Sequence, residues 1–110
     1  MLDLRLYMLQ RISAIIMVPL ALGHIAVMIY AVQGGLSAGE ILGRTKGSIP
    51  WALFYGLFVI AVSVHAAIGV RVVVFESTKL RGYALSVFTW LFCLVLLGMG
   101  LRAVFAVTAP

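Results

Sequence analysis

Charged residues are scarce in this chain, and their scarcity excludes a water-soluble globular domain. Only 10% of the 110 residues are Asp, Glu, Lys or Arg, whereas about a quarter is usual for a soluble domain. Hydrophobic residues make up 65% of the sequence, which is typical of a membrane protein. The eight basic residues are scattered at the ends of apolar stretches and form no patch, so we expect no nucleic-acid partner.

Cysteine and histidine are also rare. The single Cys93 excludes an intrachain disulfide, and its place in an apolar stretch is typical of a packing residue. The two histidines, His24 and His65, each lie in the middle of an apolar stretch. An ionisable side chain in hydrocarbon is costly and is by default a functional-site hypothesis. Because neutral imidazole is also the commonest metal ligand among side chains, these histidines are the leading site candidates.

Three apolar stretches are present, and they predict an all-α, polytopic membrane protein with three transmembrane helices. Each stretch is long enough to cross about 30 Å of hydrocarbon at about 1.5 Å per residue. We expect a single membrane-anchor domain over 1–110, with a polar, glycine-rich loop at 34–48. The short connection 76–82 favours antiparallel packing of the second and third spans. The expected spans are about 12–32, 49–74 and 83–107.

The distribution of basic residues predicts the orientation of the spans. With the N-terminus in the cytoplasm, five basic residues lie on the cytoplasmic side and three on the other side, which is the usual bias. We therefore expect a cytoplasmic N-terminus and an external C-terminus. The five residues are Arg5, Arg11, Arg71, Lys79 and Arg81, and the three are Arg44, Lys46 and Arg102.

The two histidines are expected at different depths in the membrane. His24 lies 13 residues after Arg11, which is about 20 Å of helical rise. His65 lies nine residues before Val74, which is about 14 Å. The difference of about 6 Å or more argues against one haem shared by both, because two axial ligands meet the iron at nearly the same height. Either each histidine binds a separate haem with help from another subunit, or only one is a ligand.

Other metals are disfavoured, because no carboxylate or cysteine lies near either histidine. The structural alternative is that a histidine only hydrogen-bonds across a helix pair. Gly69 lies one turn after His65 on the same helical face. A glycine there either gives a flat macrocycle room or, with Ala66 and Ala67, permits close helix packing.

Polar residues are expected to meet at the cytoplasmic rim. The start of the first span contributes Tyr7, Gln10, Arg11 and Ser13, and the end of the second contributes Arg71 and Glu76. Arginine suits a haem propionate or a quinone carbonyl, because it is always charged and presents several donors. The alternative for both arginines is contact with lipid phosphates.

Two motifs resemble one family of membrane proteins. The segment 9–15 (LQRISAI) resembles the opening of helix one in membrane-anchor subunits of succinate:quinone oxidoreductase, or complex II, which carry H/Q-R-x-S/T-G/A there. The segment 65–71 (HAAIGVR) resembles their H-x-x-x-G-x-R/W signature on helix two. Glu76 falls where the family usually has aspartate. With the three-span length, the resemblance covers essentially the whole chain.

The resemblance implies a haem b-binding anchor of succinate dehydrogenase or fumarate reductase, which does not catalyse succinate chemistry alone. Electrons would pass from succinate through the FAD of a flavoprotein subunit and the clusters of an iron–sulfur subunit to quinone. His65 would be an axial ligand of the haem nearest the cytoplasm, with its partner histidine on a second anchor subunit. Arg11, Ser13, Arg71 and Tyr7 would lie near the quinone or the haem propionates.

His24 matches the first-helix histidine of family members that hold two haems, so the resemblance implies two haem b groups and menaquinone as the quinone. It also implies a multi-pass protein within the lipid bilayer of a prokaryotic inner (cytoplasmic) membrane. Two alternatives stay open. One is a single-haem anchor in which His24 is structural, and the other is a non-haem structural subunit of another membrane complex.

Overall fold

The computed structural model describes residues 3–110, and it is all-helical over that range. Three of the helices are long and apolar enough to cross a membrane, which confirms the predicted all-α fold with three transmembrane helices. Each long helix contains one predicted span and extends beyond it. The helices are α1 (Leu4–Gly34), α2 (Ala38–Thr45), α3 (Ile49–Ser77) and α4 (Gly82–Thr108).

Polar residues determine where the first two spans begin. The Asp3 side chain accepts a hydrogen bond from the Leu6 amide at 2.9 Å, which satisfies one free donor at the start of α1. Ser48 does the same for the Trp51 amide at 3.4 Å at the start of α3, where Pro50 occupies the first turn. Each cap thus satisfies one of the backbone amides that the start of a helix leaves without an intrahelical partner.

The central helix of the bundle is α3, which packs against α1 on one side and α4 on the other. The described chain measures 48 × 22 × 22 Å, so its long axis exceeds the thickness of a bilayer's hydrocarbon core. The predicted antiparallel packing of the second and third spans is confirmed. We call the end with residues 4–11 and 71–82 the amino-terminal end of the bundle, and the end with residues 30–49 and 105–108 the carboxy-terminal end.

The connection between α1 and α3 contains a short helix, so the expectation of a loop was wrong for residues 38–45. Ser37 accepts a hydrogen bond from the Glu40 amide at 3.2 Å and donates one to the Glu40 carboxylate at 2.7 Å, which closes the first turn of α2. At the other end of α2, Thr45 donates to the Val107 carbonyl at 2.6 Å. Capping and this bond to α4 therefore override the polar composition of the segment.

The chain buries few of its own side chains. Large apolar residues such as Ile15, Leu22 and Leu94 are exposed on the surfaces of the spans. Lipid tails or the apolar surfaces of other subunits cover such residues in a membrane, so their exposure carries no penalty there. The buried apolar residues are Ala61, Ala67, Ile68, Leu85 and Cys93.

Candidate functional site

His65 lies on α3 against α1, where a serine meets its ring. The Ser13 Oγ atom lies 3.2 Å from His65 Nδ1 and 3.0 Å from the carbonyl oxygen of Gln10. Ser13 is 5% exposed and is the one buried residue of α1, every residue of which is described. Packing of α1 on α3 therefore brings together two of the predicted site residues.

A cavity of about 310 Å³ opens beside His65. Arg11 borders it from α1, and its guanidinium carbon lies 5.8 Å from the centre of the Tyr7 ring. That distance is a cation–π contact, so Tyr7 supports Arg11 from just outside the cavity. The cavity thus combines one imidazole with one permanent positive charge. Its lining residues are Gln10, Arg11, Ala14, Ile15, Val18 and His65.

Gln10, which was expected at the same rim as Arg11, also lines this cavity. Its side-chain Oε1 atom is buried and has no hydrogen-bond partner among the described residues. This oxygen is therefore an acceptor that a donor from outside the described chain could pair with.

Gly69 faces the same region one turn after His65. A Cβ atom placed on Gly69 would lie 3.8 Å from the side-chain Nε2 atom of Gln10, which is ordinary van der Waals contact. A methyl group would therefore fit against this chain, and close packing of α1 on α3 does not require glycine. Of the two interpretations of Gly69, room for a ligand or another subunit is the one that this geometry favours.

Arg71 does not join this cavity. Its Nη1 atom lies 3.4 Å from both Ser86 Oγ and Thr89 Oγ1 on α4. Six residues of helix rotate the side chain by about 240° from His65, so it lies on a different face of α3. The Nε atom of Arg71 is buried without a hydrogen-bond partner in the described chain. The polar rim predicted from the sequence is therefore divided, with Arg11 beside His65 and Arg71 against α4.

His24 lies nearer the carboxy-terminal end in an aromatic setting. The centre of its ring is 5.4 Å from that of Phe58 and 6.1 Å from that of Tyr55. Within residues 3–110 the ring has these aromatic contacts and no hydrogen bond. It borders a cavity of about 380 Å³. The other lining residues are Ile41, Thr45, Tyr55, Phe58, Val59, Gly100, Ala103, Val104 and Val107.

Two distances along the helices give the difference in depth between the histidines. On α1, Ser13 contacts His65 and precedes His24 by 11 residues, a rise of about 16 Å. On α3, Phe58 contacts His24 and precedes His65 by seven residues, a rise of about 10 Å. The two imidazoles are therefore too far apart in depth to bind one iron.

Each histidine is a single candidate ligand. Among residues 3–110 there is no group of three His, Cys, Asp or Glu side chains that could hold a metal. Neither histidine therefore belongs to a metal-binding cluster of this kind within the described chain. Sequence reasoning missed Tyr55 and Thr45 beside His24. Tyr55 could have been found from the sequence, because it lies ten residues before His65 on the same predicted span. Thr45 could not, because it falls in a segment predicted to be a loop.

The sequence was compared with known families, curated proteins and solved structures. A sequence model of the family described as "Succinate dehydrogenase/Fumarate reductase transmembrane subunit" matches residues 2–101. No curated protein and no solved structure matches the chain. The matched range includes both histidines, all of α1, α2 and α3, and most of α4.

Proposed function

The chain belongs to the succinate dehydrogenase/fumarate reductase transmembrane subunit family, and from this membership we propose that it is the haem b-binding anchor of such a complex. Membership makes it a membrane subunit of an oxidoreductase complex that associates with the other subunits. It also removes the alternative of a subunit of another kind of membrane complex. The proposed role is to tether the soluble subunits and to pass electrons from the iron–sulfur subunit to quinone.

His65 is the proposed axial ligand, and its hydrogen bond to buried Ser13 is the observation that carries the proposal. A ligating histidine usually has its second ring nitrogen bonded to a polar neighbour, which fixes the orientation of the ring. The adjacent cavity and the space at Gly69 are consistent with a flat ligand beside α3. A bound haem b would supply one-electron storage between the iron–sulfur subunit and quinone. The second axial histidine would come from a second anchor subunit.

Arg11 is the proposed contact for a haem propionate or a quinone oxygen. Its guanidinium borders the cavity and offers several charge-assisted donors, and Tyr7 supports it. Gln10 Oε1 would accept a hydrogen bond from a ligand hydroxyl, such as that of a quinol. Arg71, which was predicted for the same role, has polar partners on α4 and would act by holding α4 to α3. We propose menaquinone as the quinone, following the two-haem members that the chain resembles.

His24 is proposed as a ligand of a second haem b, whose other ligand would also come from the second anchor subunit. The separation in depth supports a site distinct from that of His65. The aromatic contacts of His24 favour the second candidate function, a single-haem anchor in which this ring only packs against Phe58 and Tyr55. The haem content of the complex separates the two.

The proposed orientation places the N-terminus in the cytoplasm of a prokaryote and the chain in its inner membrane. The amino-terminal end of the bundle, with His65 and Arg11, would then face the cytoplasm. The FAD-bearing flavoprotein and the iron–sulfur subunit would dock at that face. Electrons would therefore reach the His65 region before the His24 region.

A reduced-minus-oxidised spectrum of the purified complex tests the haem proposal. We expect a b-type α-band that is diminished in a His65→Ala variant with unchanged flavin content. Val73→Ala is the control, because Val73 lies eight residues further along α3 and is 60% exposed. A wild-type complex that contains flavin but lacks the α-band would overturn the proposal.

A further inference from the structure

Ser13 connects two parts of the candidate site by a chain of hydrogen bonds. The chain runs from the Gln10 carbonyl oxygen to Ser13 Oγ at 3.0 Å and from there to His65 Nδ1 at 3.2 Å. Ser13 is 5% exposed and does not line the cavity beside His65. It borders a separate cavity of about 140 Å³, whose other lining residues are all apolar. It is therefore placed to act on His65 rather than on a ligand.

The direction of each hydrogen bond follows from the number of available protons. A serine hydroxyl has one proton, and a carbonyl oxygen can only accept. Both contacts can be hydrogen bonds at the same time only if the Ser13 proton is donated to the Gln10 carbonyl. The Ser13 oxygen must then accept in its contact with His65, so Nδ1 of His65 carries the proton. In neutral imidazole this leaves the lone pair on Nε2.

We infer that Ser13 is a positioning residue, which holds His65 in the Nδ1–H tautomer and thereby makes Nε2 the nitrogen that binds iron. The inference rests on the proposed function, because it concerns how His65 serves as a haem ligand. It also gives Ser13 a role different from contact with quinone or a propionate. Its proton is already donated to α1 itself, and its oxygen accepts from α3.

The burial of Ser13 is what makes the tautomer selective. If the proton were on Nε2, Nδ1 and Ser13 Oγ would be two acceptors facing each other, unless the Ser13 hydroxyl gave up its bond to Gln10. A polar group buried without a partner is destabilising. The accepting oxygen also makes the imidazole more electron-donating toward a metal, which stabilises the ferric state.

Ser13→Ala in the assembled membrane complex tests the inference. The alanine variant cannot accept from Nδ1–H. We expect a rise in the midpoint potential of the haem that is lost in His65→Ala, together with a haem affinity lower by about 10- to 100-fold, which is typical when the partner of a ligand is removed. Ser13→Thr, which keeps a hydroxyl, should restore both values. Ser13→Cys, whose sulfur accepts only weakly, should shift the potential in the same direction as alanine and covers the case in which the alanine variant fails to assemble.

The matched control is Ser63→Ala. Ser63 is 3% exposed and lies two residues before His65 on another face of α3, so this change removes a buried hydroxyl without touching the imidazole. A potential and haem affinity in Ser13→Ala equal to those in Ser63→Ala would overturn the inference. Failure of the proposed function is distinguishable, because the wild-type complex would then show no haem that depends on His65.

Discussion

The two histidines share a residue type and a membrane setting, but their surroundings differ. His65 has a hydrogen bond to a buried serine and borders a cavity that also holds Gln10 and Arg11. His24 contacts two aromatic rings and borders a cavity lined mainly by apolar side chains. The hydrogen bond of His65 determines which of its ring nitrogens carries the proton, whereas the aromatic contacts of His24 restrict only where its ring lies.

The contacts that α3 makes with its neighbours differ in the same way at the two ends. Towards the amino-terminal end, polar groups meet across the helices at Ser13 and His65 and at Arg71 and Thr89. Towards the carboxy-terminal end, α3 and α4 meet closely where Val59 packs over Gly100. The arrangement of the first region therefore depends on the direction of its hydrogen bonds, and the arrangement of the second depends on the volume of its packed side chains. Substitutions should therefore affect cofactor chemistry at one end and packing at the other.

The largest effect is expected from removing the positive charge of Arg11 beside His65. Arg11→Met should lower quinone-linked turnover by about 10- to 100-fold, because a hydrogen bond from a charged donor contributes about 1.5–3 kcal/mol. Arg102→Met is the control, since Arg102 lies near the other end of the bundle. Steady-state turnover with a soluble quinone measures the effect. Equal turnover of Arg11→Met and Arg102→Met would show that the charge beside His65 is no more important for quinone reduction than a charge near the other end.

A substitution at Gly69 should disturb the cofactor while leaving the helix pair intact. Gly69→Ala adds a methyl that, among residues 3–110, meets only the Gln10 side chain at 3.8 Å. We expect an altered haem spectrum and up to a several-fold loss of haem. The packing of α1 on α3 should not change, so the melting temperature of the complex in detergent should stay the same. Gly56→Ala is the control on the same helix, because nothing lies within 4 Å of its added Cβ. An unaltered haem spectrum would indicate that nothing occupies the space beside Gly69.

Gly100→Ala should destabilise the carboxy-terminal region without changing the spectrum of the His65 site. The added Cβ would lie 2.5 Å from Val59 Cγ1, and overpacking of this kind costs about 1–3 kcal/mol. Valine has few alternative rotamers in a helix, so the contact is hard to relieve. Thermal unfolding of the complex in detergent measures the loss.

Gly98→Ala provides the matched control for that change, because Gly98 lies one half-turn away on α4 with open space around its added Cβ. It should be neutral or slightly stabilising, since alanine favours helix over glycine by about 0.5–1 kcal/mol in water. If both variants unfold at the same temperature, close packing at Gly100 does not determine the stability of this end.

The smallest expected effect concerns the tie between α2 and α4. Thr45→Val removes the bond to the Val107 carbonyl at 2.6 Å and should cost about 1 kcal/mol. Faster hydrogen exchange of the α2 amides would report the loosening. Thr108→Val is the control, because its hydroxyl bonds only within α4, to the Val104 carbonyl. Unchanged exchange in Thr45→Val would show that the remaining backbone bond from Gly47 to Thr108 suffices.

The sequence predicts the spans and the separation of the two histidines along the bundle, because both depend on local properties. Runs of apolar residues determine where a helix can cross a membrane, and a constant rise per residue then converts position into depth. The separation of His24 from His65 could therefore be predicted from counting residues alone. Which histidine lies nearer the amino-terminal end of the bundle follows from the alternating directions of the spans.

The partners of polar side chains could not be predicted in the same way. Arg71 was expected beside Arg11, but helix rotation directs it to Ser86 and Thr89. Helix α2 was missed because its segment is polar and glycine-rich, and because its bond to Val107 joins residues 62 positions apart. The contact of Ser13 with His65 also depends on how α1 packs on α3, which no local pattern encodes.

The haem content of the intact complex, measured in the wild type and in two single variants, tests the central claim of two separate histidine sites most directly. We predict two b haems per complex in the wild type. We predict that His65→Ala and His24→Ala each remove a different one, distinguished by midpoint potential. A single haem that is lost in either variant would contradict the account, because it would require both histidines to serve one iron across about 10–16 Å of depth.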